Sequence, residues 1–418
     1  MLFGVHENAG RRTVSADPLA IVGIDGHIYV HEKDGEDAVR LTWSLRDISY
    51  GVWTVGASLD RIRYYWPTWS PDGRRLACFG TFGTEIDERG TGIYVFDAVD
   101  GIESWDVWSG TSRSPLYMSW SADSRTLAFV TQQPDVLSLS LVDIDDLSSR
   151  RGLFSGFPLF HRFSPNGRFL AVCLGGRFNG EDGQRLYCID VSAPEERLTV
   201  AESAGFFGTP SWSPSGRLLA FTIARDYDQM LCVSVKGQGP PRELVPIHPQ
   251  ASLSWLAGGR SILVAQGPGT PSSPFSSLSR IGIPTRGTPR ASVVYSGPLF
   301  GAQALRDGRI LVIAPGEEAP SARWIVVEPD GSSFALPTFF PSNAQQFIFK
   351  FFHQFQASHR LIAADESKVV CTGYRSAGEM NDDHTLPQVF TLALSPGAKP
   401  EVISEGSIAC WPGPFPRG

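Results

Sequence analysis

The chain has 418 residues, 42% of them apolar, with a formal net charge of −7, 43 glycines and 31 prolines. That is enough apolar material for a large core, and no basic patch stands out in the sequence, so the phosphate-neutralising surface that nucleic-acid binding needs is not expected. No apolar run reaches the roughly 18 residues of a membrane-spanning helix, so none is expected.

Taken in chain order, residues 1–17 carry no strand signal and read as a weakly structured arm; they also lack the continuous apolar core of a secretory signal. A cytoplasmic protein is expected, or a periplasmic one if a signal has been trimmed. Residues 19–24 (LAIVGI) read as a strand, and HIYVHEKDGEDAVRLT from His27 as two more. A long aromatic-rich link, residues 43–67, follows. Then a pattern recurs: an aromatic anchor, Ser-Pro-Asp-Gly or a relative, a basic residue and an apolar run. It reads WSPDGRRLACF from Trp69, WSADSRTLAFV from Trp120, FSPNGRFLAVC from Phe163 and WSPSGRLLAFT from Trp212. Weaker copies are WLAGGRSILVA from Trp255, ALRDGRILVIA from Ala304 and IAADESKVVCT from Ile362. Trp411, near the C-terminus, stands where an eighth copy begins.

These anchors recur every 43–58 residues, the period of a four-stranded propeller blade. The Asp-Gly or Asn-Gly pair supplies the positive φ of a tight turn. The anchor ends an inner strand a and packs between blades, and the apolar run after the turn is strand b. Second hairpins such as GIYVFDAVDGIESWDVW from Gly92 supply strands c and d, and little helix is expected. Residues 405–415 look like a strand a without a successor, and residues 18–45 like strands b, c and d without a predecessor. The expected fold is therefore all-β, a single propeller over residues 18–418 with eight four-stranded blades. Pairing of the C-terminal strand with the N-terminal ones closes it and removes an exposed sheet edge.

The WSPDG-R-LAF pattern resembles the WD40-like repeat of TolB-type propellers and is similar to the propellers of the dipeptidyl-peptidase and prolyl-oligopeptidase families. The resemblance covers residues 18–415 and implies a TolB-like scaffold or ligand-binding propeller. The peptidases carry a hydrolase domain with a G-x-S-x-G elbow; that motif does not occur here, so their activity is not implied. TolB-type proteins carry a separate N-terminal domain and a signal peptide, and neither is recognised in this sequence.

Function on a rigid ring sits in long loops. The candidates are residues 43–67, 79–92 and 336–360, the first and third mixing aromatics with Arg, His and Gln. Such a mixture suits a ligand pocket, a protein-docking surface, or a plug of the wide eight-bladed channel. Residues just before the strand-a anchors are expected at the channel mouth: Tyr65, His161, Arg162, His359 and Arg360, with Arg63 and His353 slightly further out. A His/Arg cluster there suits an anionic ligand, or lets His161 and His359 serve as acid and base; taken alone, each histidine reads as a satisfied structural residue. The six cysteines sit singly in apolar runs, as buried strand residues do. The acidic clusters at 85–89 and 381–384 lack a calcium-loop spacing and read as solvated loops. No metal and no cofactor is expected. The sequence favours a non-enzymatic binding or scaffold propeller for a protein partner or a small, possibly anionic ligand. The alternative is a lyase or hydrolase with an axial His/Arg site.

Overall fold

A computed structural model describes residues 17–32, 38–42, 62–82, 90–98, 104–175, 183–205, 209–225, 228–270 and 273–413. All but the last residue of the expected arm (residues 1–17), most of the 43–67 link and the 85–89 cluster lie outside the described residues. The chain forms eight four-stranded antiparallel sheets, each a blade. Blade 1 is composite: strands Leu19–Val22, Ile28–His31 and Val39–Arg40 are completed by Ile408–Cys410, with Ala20 opposite Cys410 and Val22 opposite Ile408. Blades 2 to 8 follow in chain order, with inner strands Arg63–Trp69, Ser114–Trp120, Leu159–Phe163, Ser211–Trp212, Ala251–Trp255, Gly301–Ala304 and Phe340–Pro341. The eight blades and the closure from both termini are those the repeat predicts.

The repeat has a specific chemistry. In blade 2 the Ser70 hydroxyl donates to Asp72 Oδ1 (2.6 Å) and accepts from the Arg75 amide (2.9 Å), while the Gly73 amide donates to the Ser70 carbonyl. Gly73 takes φ +69°, a conformation that costs glycine little. The same hydroxyl-centred turn recurs at Ser121 with Asp123 and at Ser164 with Asn166. One serine and one Asx side chain thus satisfy the a–b turn, which is why the pattern survives where Pro or Gly is lost. The anchors bind the blades in one direction around the ring. Trp69 Nε1 donates to the Cys410 carbonyl (3.1 Å), Trp120 Nε1 to the Thr68 carbonyl (3.0 Å), Trp212 Nε1 to Arg162 and Trp255 Nε1 to Ser211. Each acceptor is the residue just before the preceding blade's anchor. All six cysteines are free and buried.

The departure from expectation is helix. The inner strand of blade 8 breaks after Pro341 and resumes at Ile362, which bridges Val369. Between them α1 (Asn343–Lys350) and α2 (Phe352–Phe355) fold over the ring axis; a short α3 (Ala377–Met380) follows later in the blade. Ser342 caps α1 by accepting from the Gln345 amide, and the FIFKFF run replaces strand alternation with helical spacing. The gap in the ladder is filled by a side chain. Gln345 Oε1 accepts from the Thr372 amide (2.5 Å), and its Nε2 donates to the Val370 carbonyl (3.4 Å). A fully buried side-chain amide thus takes the place of a backbone amide. Gln345→Leu is expected to leave one donor and one acceptor buried without partners, at about 1–3 kcal/mol each. Urea unfolding should show a lower midpoint with an unchanged slope; an unchanged midpoint would mean that water replaces the amide.

Candidate functional site

The insertion carrying α1 and α2 plugs the axis. Phe349, Phe352 and Phe355 are buried, and Phe355 sits at the centre of a ring of aromatic contacts. Its centroid lies 5.0 Å from Trp66, 5.3 Å from Tyr117 and 5.6 Å from His359. Trp66 reaches the plug because blade 2's inner strand bulges between Tyr65 and Thr68, with Trp66 at φ +61°, a conformation uncommon for a bulky residue.

Polar groups are held inside this aromatic packing. His161 is fully buried against Tyr117 (5.0 Å) with Nε2 3.0 Å from Ser119 Oγ; its Nδ1 has no partner among the described residues. His359 is fully buried under Trp66 (4.8 Å), with Nδ1 2.9 Å from Ser358 Oγ and Nε2 unpartnered. The Tyr117 hydroxyl donates to the Gln354 carbonyl, and Thr209 Oγ1 donates to Gln354 Oε1 (3.2 Å). Arg162 donates through Nη2 to the His353 carbonyl (2.5 Å), and neither ring nitrogen of His353 has a partner. Burial pushes His161 and His359 down to about 3, and burial with the nearby Arg162 charge pushes His353 down to about 4. All three imidazoles are neutral at pH 7. None is hydrogen-bonded to a carboxylate among the described residues.

The structure therefore brings His161, Arg162, His353 and His359 around one plug, but not around a solvent-filled entrance. The physical reason is the insertion itself, whose phenylalanines occupy the space that the loop register leaves open. Arg360 goes elsewhere: it donates to the Ala363 carbonyl and its backbone bridges Trp411, between blades 8 and 1. Arg63 is exposed beside Gly26, at the junction of blades 1 and 2. Tyr65 packs on Phe79 (5.6 Å) and lines a shallow apolar recess of about 310 Å³ with Trp66, Leu116 and Phe347.

A larger cleft lies on the other side of the plug. It measures about 570 Å³ and is lined by Phe160, Pro249, Gln250, Ala251, Pro274, Phe275, Lys350, Phe351 and His353. Of these only His353 is among the residues singled out from the sequence. Lys350 and Phe351 belong to the 336–360 candidate segment and Phe160 adjoins His161, whereas the repeat gives no signal for Pro249, Gln250, Ala251, Pro274 and Phe275. Tyr117 was findable, since it precedes the Trp120 anchor much as His161 precedes Phe163. Among the described residues there is no cluster of three or more metal-ligating side chains, and no helix long and apolar enough to cross a membrane.

No protein-family model and no curated protein matches the chain. Solved structures do. The chain is similar to dihydro-heme d1 dehydrogenase NirN (TM-score 0.56, 13% identity, covering 96% of this chain and 75% of that one). It is similar to a eukaryotic initiation factor (TM-score 0.54, 11% identity, 95% and 90% covered) and, more loosely, to TolB from Acinetobacter baumannii (TM-score 0.37, 15% identity, 73% and 74% covered). What it shares with such structures is the fold alone: the chain is an eight-bladed β-propeller.

Proposed function

We propose that the chain is a non-enzymatic binding propeller whose recognition surface is the face carrying the plug. The observation that carries this reading is the axial plug itself. His161 and His359, the candidate acid and base, are fully buried and have no carboxylate to orient them among the described residues, while concave apolar recesses open on the same face, between the plug and the blades. Loops held on a rigid scaffold around such recesses are the usual apparatus of binding. The occupant is a protein segment or a small ligand. Six free, buried cysteines fit a reducing compartment, and we place the protein in the cytoplasm on that ground.

The test pairs turnover with binding. A panel of hydrolase and lyase substrates should give no turnover that depends on His161 or His353, and a thermal-shift screen of small anions and sugars should yield stabilising ligands. A ligand at a hundred times its Kd adds about 2.7 kcal/mol to stability. Turnover abolished by His161→Asn or His353→Asn, with the melting temperature retained, would overturn this reading in favour of an axial enzyme.

A further inference from the structure

The 570 Å³ cleft has a composition that selects among ligands. Its body is formed by Phe160, Phe275, Phe351, Pro249 and Pro274, a set that holds flat or flexible apolar groups. Its polar side chains are few: Lys350, His353 and Gln250. Lys350, exposed in the last turn of α1, stands at the cleft with no ion-pair partner among the described residues. His353 lines the same cleft with both ring nitrogens buried and unpartnered. Behind His353 lies Arg162, whose Nη2 is bound to the His353 carbonyl and whose buried Nε is also without a partner. No Asp or Glu lines the cleft, and no carboxylate pairs with Arg162 among the described residues.

A buried donor or acceptor without a protein partner favours a ligand group that supplies one, and a buried cation favours an anion that compensates it. The histidine cannot supply charge, because burial and Arg162 keep it neutral. A neutral imidazole offers one N–H donor, and Lys350 offers a mobile cation. An apolar chamber with one ammonium, one neutral N–H donor, a cationic background and no acidic wall matches an anion carried on an apolar body.

We propose that this cleft binds a small amphipathic carboxylate, its apolar body against Phe160, Phe275 and Phe351 and its carboxylate held by Lys350 and the His353 N–H. This rests on the reading of the propeller as a binding module and names the ligand class of its recognition face. Gln250, at the cleft wall, adds a neutral amide and does not alter the charge preference.

The experiment is titration calorimetry of the full chain with octanoate and 4-phenylbutyrate, and with their primary amides as uncharged twins. The wild type should bind the acids saturably at one site and the amides about tenfold more weakly, the usual worth of a charge-assisted hydrogen bond. Lys350→Gln, at an exposed position that leaves the core untouched, should weaken the acids about tenfold and leave the amides unchanged. Lys399→Gln, a second exposed lysine far along the chain, should change neither. The proposal is overturned if no saturable binding is seen, if Lys350→Gln binds the acids like the wild type, or if acids and amides bind equally. That last result, with binding weakened by Phe351→Ala, would leave the binding-module reading standing while removing the carboxylate. The binding-module reading itself falls by a different readout, histidine-dependent turnover.

Discussion

Deleting residues 407–418 is expected to abolish stable folding, giving aggregated protein or one whose cooperative melting transition is lost. The segment supplies the inner strand of blade 1. Without it, the edge of Leu19–Val22 loses every hydrogen bond it makes to Ile408–Cys410. The Cys410 carbonyl that accepts from Trp69 Nε1, and the Trp411 amide that donates to the Arg360 carbonyl, go with it. So does the Ser407 carbonyl that accepts from the Ser342 hydroxyl, at the cap of α1. Ile408, Ala409, Cys410 and Trp411 are all buried, and losing a core Trp or Ile costs about 2–5 kcal/mol each. Against a total stability of about 5–15 kcal/mol, two such losses plus the exposed edge leave little. Removing residues 1–15 should, by contrast, change the melting temperature by only a few degrees. Solubility and melting curves of the two truncations decide it; a C-terminal deletion that melts like the intact chain would falsify the closure.

Lowering the pH from 7 to 5 is expected to cost the fold about 4 kcal/mol through His161 and His359 alone. Both are held near 3 in the folded ring, far below the ordinary histidine value of about 6.5 that the unfolded chain has. The unfolded chain therefore takes up protons that the folded one refuses. Stability is present in full above about pH 6.5 and falls as pH drops through the unfolded value, by about 1.4 kcal/mol per pH unit per histidine, until the folded values are reached. His353, held near 4, adds to the same slope. The carboxylates held low by their partners, such as Asp190 beside Ser192 and Arg168, lose their contribution only as the pH falls below the ordinary carboxylate range, so the two regimes separate. Urea midpoints at pH 7, 6 and 5 test this, with His359→Gln expected to flatten the slope. Equal stability at pH 5 and pH 7 would mean that protons and water reach these rings in the folded state.

The ring was legible because its turns are made by adjacent residues. Ser70 with Asp72 and Ser164 with Asn166 are local hydrogen-bonded units, so the blade count could be read from spacing alone. The plug was legible only as one of three readings of the aromatic segments; its helices and its attachment were not, because the defining contact joins Gln345 to strand residues about 25 positions away and leaves no periodic mark. The register argument brought His161 and Arg162 to the plug because they directly precede the Phe163 anchor, and His353 and His359 ride on the insertion itself. It failed for Arg360, because that residue belongs to the strand as it resumes, where the pleat turns its side chain toward Ala363 and the blade 1 junction. It missed Trp66, because a bulge rotates that residue out of the sequence's alternation.

The way the plug is attached sets rules for altering this face. A segment tied into a β-ladder at both ends, and bridging the gap through its own glutamine, behaves as a strut rather than as a loop. Its length and capping serine are fixed by blade 8, so shortening it would shorten a strand. The connections at 157–158 and 248–250, which border the same face, run between strands rather than within one, so changes of length there leave every ladder's strand count intact. Those rims are where variation can retune what the face recognises while the centre stays constant.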